Sequence, residues 1–180
     1  HHLPRLDRLD QGDADRVLLH LLGEGAHDIE RNVGLEQRAA YFAQRYADFD
    51  RRLTEAEKRW QATMAPYKGV KVVTYHRSWP NFAKAYGLTV VDFVEPRPGI
   101  PPSPNHLSDL VNEMKSGGVK VLIMEPFFDP RIPQKVSKDT GVPVAILPTS
   151  VGAEPAIKTY FDLFDRMFAE VGSALHGGSK

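Results

Sequence analysis

The stretch Val-Val-Thr-Tyr-His-Arg-Ser-Trp, residues 72–79, decides the fold. β-Branched and aromatic residues over 70–75 predict a buried strand that ends at the imidazole of His76, and Ser78 is placed to cap a helix just beyond it. The carboxyl end of a strand, facing the start of a helix, is where open α/β sheets bind ligands. Neutral imidazole is also the commonest protein ligand for zinc-like metals. His76 is therefore the first candidate for a functional residue, although a histidine at a strand end is more often a hydrogen-bonded structural residue.

After His76 the sequence alternates between predicted strands and predicted helices. Further apolar strands are expected over 88–94, 119–124 and 142–147, with helices ending at Tyr86 and covering 104–115, 133–139 and the aromatic run near Phe164. Ser103 followed by Pro104 is a good capping and first-turn pair. Strand and helix repeated four times predict a parallel, doubly wound sheet with right-handed crossovers, buried on both faces. We therefore expect a four-stranded α/β lobe over residues 67–180.

A long helix is predicted to precede this lobe, over residues 35–66. Apolar residues recur there at steps of three, four or seven with charged residues between them, namely Phe42, Tyr46, Phe49, Leu53, Trp60 and Met64. At about 1.5 Å per residue the helix would be roughly 45 Å long. It is either a coiled-coil or bundle helix or a strut between two lobes. Residues 1–34 are polar, with one short apolar run over 17–22, and are assigned to a divergent or truncated amino-terminal segment.

Composition and missing motifs exclude several classes of protein. The 23 basic and 23 acidic residues balance, which predicts no general attraction for nucleic acid or an anionic membrane. Cysteine is absent, so disulfides, thiolate metal sites and cysteine nucleophiles are excluded. Glycine-rich nucleotide loops and the motifs Gly-x-Ser-x-Gly and His-Glu-x-x-His are absent as well. Candidate ligands gather instead where the loops after the strands meet, at His76, Glu95, Glu125 and Thr149-Ser150.

Residues 71–168 resemble the carboxyl-terminal lobe of the metal-specific solute-binding proteins of bacterial ABC importers, the zinc/manganese receptors with a rigid helical backbone. The order and spacing of the similar stretches agree; they are Thr74–Trp79, Glu95–Leu107, Glu125-Pro126, Leu147–Gly152 and Tyr160–Phe164. The helix over 35–66 resembles the long helix that links the two lobes in that family. The first lobe would then be truncated or divergent.

The resemblance implies a periplasmic or exported receptor that is not an enzyme and works as a monomer. Such a receptor captures a divalent cation in the cleft between its lobes and delivers it to a permease in the inner membrane. By position, His76 matches the first metal ligand of this lobe, and the second, often aspartate, falls near Ser150. Because serine is a poor zinc ligand, Glu125 and Glu154 are candidates for the missing acid. The histidine favours zinc over manganese as the cargo.

The first lobe's metal ligands are not recognisable in the sequence. The family's motif Asn-Pro-His-x-x-Leu-Asp-Pro is not present as such, and His1-His2-Leu3-Pro4 is a remnant of it, part of a purification tag or a chance match. We therefore expect one lobe and its linking helix, without the export signal. The alternative function is a small α/β hydrolase or transferase that uses the same strand-end cleft, with His76 as general base and Glu125 as its partner.

A direct prediction follows for the 180-residue chain itself. Zinc prefers four ligands in tetrahedral geometry, and one histidine with a weak carboxylate gives only modest affinity. The chain alone should therefore bind zinc weakly or not at all. An equilibrium titration checks this, and a sub-micromolar site of one-to-one stoichiometry would contradict it.

Overall fold

The computed structural model describes residues 27–177, and the side chains of residues 38–177. The short apolar run over 17–22, the first two histidines and His20 lie outside the described residues. The chain divides into two compact units, residues 1–52 and 53–180. Among the described helices, none combines the length and the apolar character that crossing a bilayer requires.

The described elements alternate as the sequence predicts. In chain order they are α1 (His27–Met64), a 3-10 turn (Ala65–Tyr67), β1 (Lys71–Thr74), α2 (Pro80–Tyr86), β2 (Thr89–Phe93), α3 (Pro104–Gly117), β3 (Val121–Met124), α4 (Arg131–Thr140), β4 (Val144–Ile146) and α5 (Tyr160–Gly177). Helix α1 begins at His27, earlier than the expected residue 35. Gly34 lies inside it. A glycine in a helix interior destabilises the helix by only about 1 kcal/mol relative to alanine, so the helix can continue through this position.

The four strands form one parallel sheet in the order β2-β1-β3-β4. This confirms the predicted α/β fold. The chain leaves β1 towards one edge of the sheet and leaves β3 towards the other, so a topological switch point lies between these two neighbouring strands. In open α/β sheets, ligands bind in the crevice at the carboxyl ends of such strands. His76 follows β1 and Glu125 follows β3, which places both residues at this crevice.

Each face of the sheet is covered by helices, since its strands are apolar on both sides. Val72 of β1 lies in one buried cluster with side chains from the end of α1, from α2 and from α5. Val73 lies in the other, with side chains from α3 and α4. Both valines are 0% exposed. Burial on both faces fixes β1 in the centre of the sheet and therefore fixes the position from which His76 emerges.

The two predicted helix caps have different outcomes. Ser103 caps α3 as predicted, and its Oγ accepts a hydrogen bond of 3.2 Å from the backbone N–H of His106. Ser78 does not cap α2, so that prediction is wrong. Trp79 occupies the capping position without a side-chain hydrogen bond, and Pro80 begins the helix. A proline at the first helical position needs no partner for a backbone N–H, because it has none.

The carboxyl-terminal part of α1 is joined to the sheet unit through Trp60. Its indole is buried and stacks on Phe164 and Phe168, with ring centroids 5.1 and 5.5 Å apart. The indole Nε1 donates a hydrogen bond of 2.6 Å to the carboxylate of Asp165. The aromatic contacts and the hydrogen bond of Trp60 therefore both attach α1 to α5.

We expect Trp60→Ala to lower the free energy of unfolding by about 3–5 kcal/mol, because it removes a buried aromatic side chain and leaves a cavity. Lys58→Ala, at an exposed position of the same helix, is the matched control and should change stability by less than about 0.5 kcal/mol. Urea denaturation followed by circular dichroism measures both. Equal effects of the two substitutions would show that α1 is not held through its indole.

Candidate metal centre

The hydrogen bonding of His76 leaves one ring nitrogen available to a ligand. Its Nδ1 lies 2.8 Å from the backbone carbonyl oxygen of Glu95. A carbonyl only accepts hydrogen bonds, so Nδ1 carries the proton and Nε2 of the neutral ring keeps its lone pair. An imidazole bonded in this way has a fixed tautomer and a fixed direction, as metal-binding histidines usually do. The backbone carbonyl of His76 in turn accepts a hydrogen bond of 2.6 Å from Thr74 Oγ1.

A one-residue bulge in the sheet brings Glu95 beside His76. The register of β1 and β2 shifts between Val72, which pairs with Val90, and Val73, which pairs with Asp92. The ladder then continues beyond the strands, since the N–H of Glu95 donates to the carbonyl of Tyr75 at 2.9 Å. Bulges of this kind redirect side chains and are common near functional sites. Here the bulge places Glu95 opposite His76.

Two donors hold the carboxylate of Glu95 in place. Its Oε2 accepts a hydrogen bond of 3.1 Å from the Tyr75 hydroxyl, and its Oε1 accepts one of 2.8 Å from the backbone N–H of Gly99. Gly99 has a φ of +77°, a conformation that L side chains rarely adopt, so the loop needs glycine at this position. Burial, and then the hydrogen bond to Glu95, raise the pKa of Tyr75 to about 12. The phenol therefore remains a donor throughout the physiological range.

The result is a nearly buried pair of complementary donor atoms. His76 Nε2 and Glu95 Oε1 are 3.9 Å apart, and the two side chains are 8% and 12% exposed. The ring of Phe128 packs edge-on against the imidazole at 4.5 Å and is stacked on Tyr75 at 4.7 Å. An apolar wall of this kind limits access of water and strengthens electrostatic interactions at the site.

The other predicted ligands are not assembled around this pair. Glu125 is 2% exposed, and its Oε2 has no hydrogen-bond partner. Ser150 is exposed in the loop after β4. Glu154 is held by the guanidinium of Arg166 at 3.1 Å. Within residues 38–177, no three histidine, aspartate or glutamate side chains come together as a metal site.

His106 has a structural role at the start of α3. Its Nε2 bonds the carbonyl oxygen of Phe93 at 2.9 Å and so ties the first turn of α3 to the end of β2. The structure also draws attention to a candidate ligand at this edge of the sheet to which the family resemblance assigned no role. That residue is Glu95, and its position in the Pro-rich loop after a strand was the available signal.

The donor atoms of the pair suit a divalent cation. Two donors on a tetrahedral zinc ion with bonds of about 2.0–2.1 Å lie about 3.4 Å apart. The observed 3.9 Å between Nε2 and Oε1 is close to this separation, so a side-chain movement of about half an ångström would bring both atoms within bonding distance. An imidazole nitrogen with a carboxylate oxygen is also a donor set that zinc accepts.

Comparison with known proteins identifies the family. The family model described as "Zinc-uptake complex component A periplasmic", ZnuA, matches residues 31–174. The chain belongs to the ZnuA family. This confirms the resemblance to metal-binding solute-binding proteins, which are not enzymes, and it removes the support for a hydrolase or transferase.

Curated relatives match part of their length. A high-affinity zinc uptake system protein ZnuA of Haemophilus influenzae is 29% identical over 110 residues, which is 61% of this chain and 33% of the relative. The metal ABC transporter substrate-binding lipoprotein SloC of Streptococcus mutans is 26% identical, and the match covers 35% of the length of that relative. A ZnuA of Haemophilus ducreyi is 26% identical and is covered to 44%. The chain thus spans between a third and a half of the length of these relatives.

Solved structures share the fold of the chain. The solute-binding protein FpvC of Pseudomonas aeruginosa, in complex with Ni²⁺, aligns with a TM-score of 0.61 at 23% identity, over 84% of this chain and 58% of that one. A Mn-bound periplasmic metal-binding protein of Candidatus Liberibacter asiaticus aligns with a TM-score of 0.64 at 14% identity, over 78% of this chain and 54% of that one. The α/β lobe described above therefore shares its fold with these two solved structures.

The raised pKa of Tyr75 predicts how stability depends on pH. Between about pH 10 and pH 12 the unfolded phenol loses its proton while the folded one, with a pKa of about 12, retains it. The unfolded state therefore binds fewer protons, and this contribution to stability, fully present below pH 10, is lost as the pH rises through 12. In Tyr75→Phe the fall in stability over this range should be shallower, by up to about 1.4 kcal/mol per pH unit. Denaturant unfolding at pH 9 to 12 checks this, and parallel curves for the two proteins would contradict it.

Proposed function

We propose that this chain is the metal-capturing part of a bacterial ABC importer, exported to the periplasm or the cell surface, and that its cargo is a divalent cation. The observation that carries the proposal is the hydrogen bond between His76 Nδ1 and the carbonyl of Glu95, which leaves Nε2 with a free lone pair. We propose His76 as a metal ligand on that ground. Membership of the ZnuA family supports the same function.

Access to the site supports a cation over an organic substrate. The His76 side chain is only 8% exposed, so its ring nitrogen is within reach of a small ion but not of an ester or a sugar. Two of its neighbours are aromatic rings, those of Tyr75 and Phe128. A general base must reach the proton it abstracts within hydrogen-bond distance, and a nitrogen enclosed in this way is poorly placed for that.

Zinc is the favoured cargo because of the ligand chemistry. Imidazole suits zinc, whereas sites rich in carboxylate and water suit manganese. The relatives named ZnuA are zinc uptake proteins by description, while the aligned structures hold nickel or manganese. We infer that zinc is preferred and that delivery to a membrane permease follows capture. Helix α1 would then link this lobe to the part of the receptor that supplies further ligands.

The test uses the full-length receptor isolated from its native host, and not the 180-residue chain alone, in wild-type form and with His76→Ala introduced on the chromosome. Elemental analysis of the wild type should find stoichiometric zinc, because a closed site holds its cargo through purification. His76→Ala should lose the metal, since it removes the only nitrogen ligand proposed for this lobe. The host carrying His76→Ala should also grow poorly in medium depleted of zinc by a chelator.

His176→Ala is the matched control, because it removes an exposed imidazole from the same lobe. It should retain zinc and support growth. The proposal fails if wild-type protein is metal-free after growth in zinc-replete medium, or if His76→Ala retains zinc as the wild type does. Competition between Zn²⁺ and Mn²⁺ for metal-depleted wild-type protein tests the choice of cargo separately.

A further inference from the structure

We infer that Glu95 is the acidic metal ligand of this lobe, in place of the aspartate expected near Ser150. The inference rests on the proposed function and adds to it the second ligand of the site. It makes His76 and Glu95, which lie opposite each other just beyond the ends of neighbouring strands, a pair that binds the ion together.

The distance between the two donor atoms supports this assignment. At 3.9 Å, His76 Nε2 and Glu95 Oε1 are too far apart for a hydrogen bond, so neither atom is consumed by the other. They are also too close to leave room for a side chain between them. A cation with bonds of about 2 Å to each atom fits this separation after a small movement.

The Glu95 carboxylate is held in place by hydrogen bonds, and each of its oxygens can still accept a further ligand. Each oxygen accepts one hydrogen bond, from the Tyr75 hydroxyl or from the Gly99 N–H. A carboxylate oxygen has two lone-pair directions, so each oxygen keeps one free for a metal. Ligating carboxylates are commonly hydrogen-bonded in this manner, because the outer partners fix their orientation. The Glu95 side chain is thus built as a ligand would be.

The other candidate ligands at this edge of the sheet are less well placed to bind an ion together with His76. Ser150 offers a neutral hydroxyl at an exposed position of the loop. The carboxylate of Glu154 is engaged by Arg166, whose charge would oppose a nearby cation. Glu125 does not assemble with His76 and Glu95 into a three-ligand group among residues 38–177. Of the acids that the sequence placed at this edge of the sheet, Glu95 is the one whose oxygen faces the free nitrogen of His76.

The separation of the two donor atoms also bears on which metal ion the pair prefers. Neighbouring donors on an octahedral ion with bonds of about 2.1 Å are about 3 Å apart, which is closer than tetrahedral donors. The observed 3.9 Å is nearer to the tetrahedral separation. A tetrahedral ion such as zinc would therefore require a smaller movement of the two side chains than an octahedral ion would.

The experiment compares zinc affinity across four variants of the protein isolated from its native host and stripped of metal by a chelator. Competition with a chromophoric chelator measures the affinity of wild type, Glu95→Gln, Glu125→Gln and His76→Ala. Glutamine keeps the size of the Glu95 side chain and an oxygen for the Gly99 N–H, but removes the charge. We expect Glu95→Gln to lose at least about tenfold in affinity, since even an outer partner of a metal ligand is worth about 10–100-fold. Glu125→Gln, a buried acid of the same edge, should bind as the wild type does.

A crystal of wild-type protein grown with zinc gives a readout that does not depend on whether the variants fold. The anomalous peak of the ion should lie about 2 Å from both His76 Nε2 and Glu95 Oε1. An ion on His76 with Glu125 or the Ser150 loop instead, or unchanged affinity in Glu95→Gln, overturns the inference and leaves the proposed function standing. Wild-type protein that binds no zinc overturns both.

Discussion

The hydrogen bond from His76 Nδ1 to the carbonyl of Glu95 is the constraint on which the site depends. It selects the tautomer of the ring, and it turns Nε2 towards the Glu95 carboxylate. The bond exists because a bulge shifts β2 by one residue against β1 between Val72 and Val73. Without that shift, Val94 would lie opposite His76, and the carboxylate would fall one position further along the strand. A single extra residue in a buried ladder thus decides which chemical group meets the imidazole.

The loop after β2 keeps that arrangement rigid. Five of its ten residues over 95–104 are prolines, and proline fixes φ and so lowers the number of conformations the loop can adopt. Gly99 supplies the one left-handed turn, through which a backbone N–H reaches the Glu95 carboxylate. Ser103 then ends the loop by capping α3, and His106 ties that helix back to β2. The cost of ordering the carboxylate is therefore largely met when the lobe folds, and binding has less conformational entropy to lose.

The sequence predicted the fold well because the fold depends on local patterns. Continuous apolar runs, the Gly and Pro residues between them and the amphipathic helices are visible without tertiary information, and they predicted all four strands and the position of His76. The cap at Ser78 was predicted wrongly because Pro80 can begin a helix without one. The pairing of Glu95 with His76 could not be predicted from local patterns. Strand pairing with a bulge is decided by packing on both faces of the sheet, so the sequence placed Glu95 among the candidate ligands but did not show that it pairs with His76.

The same geometry bears on how a receptor of this kind holds an ion and still releases it. In the proposed site, two donors would occupy half of the tetrahedral shell that zinc prefers, so this lobe alone would give a weak site. If further ligands lay close by, an ion bound at His76 would face them at a high effective concentration, and the combined affinity would exceed that of either half. Separating the two halves would return the ion to a pair that holds it weakly. Because the pair is oriented by its own hydrogen bonds and not by the metal, His76 and Glu95 would need only a movement of about half an ångström at either step.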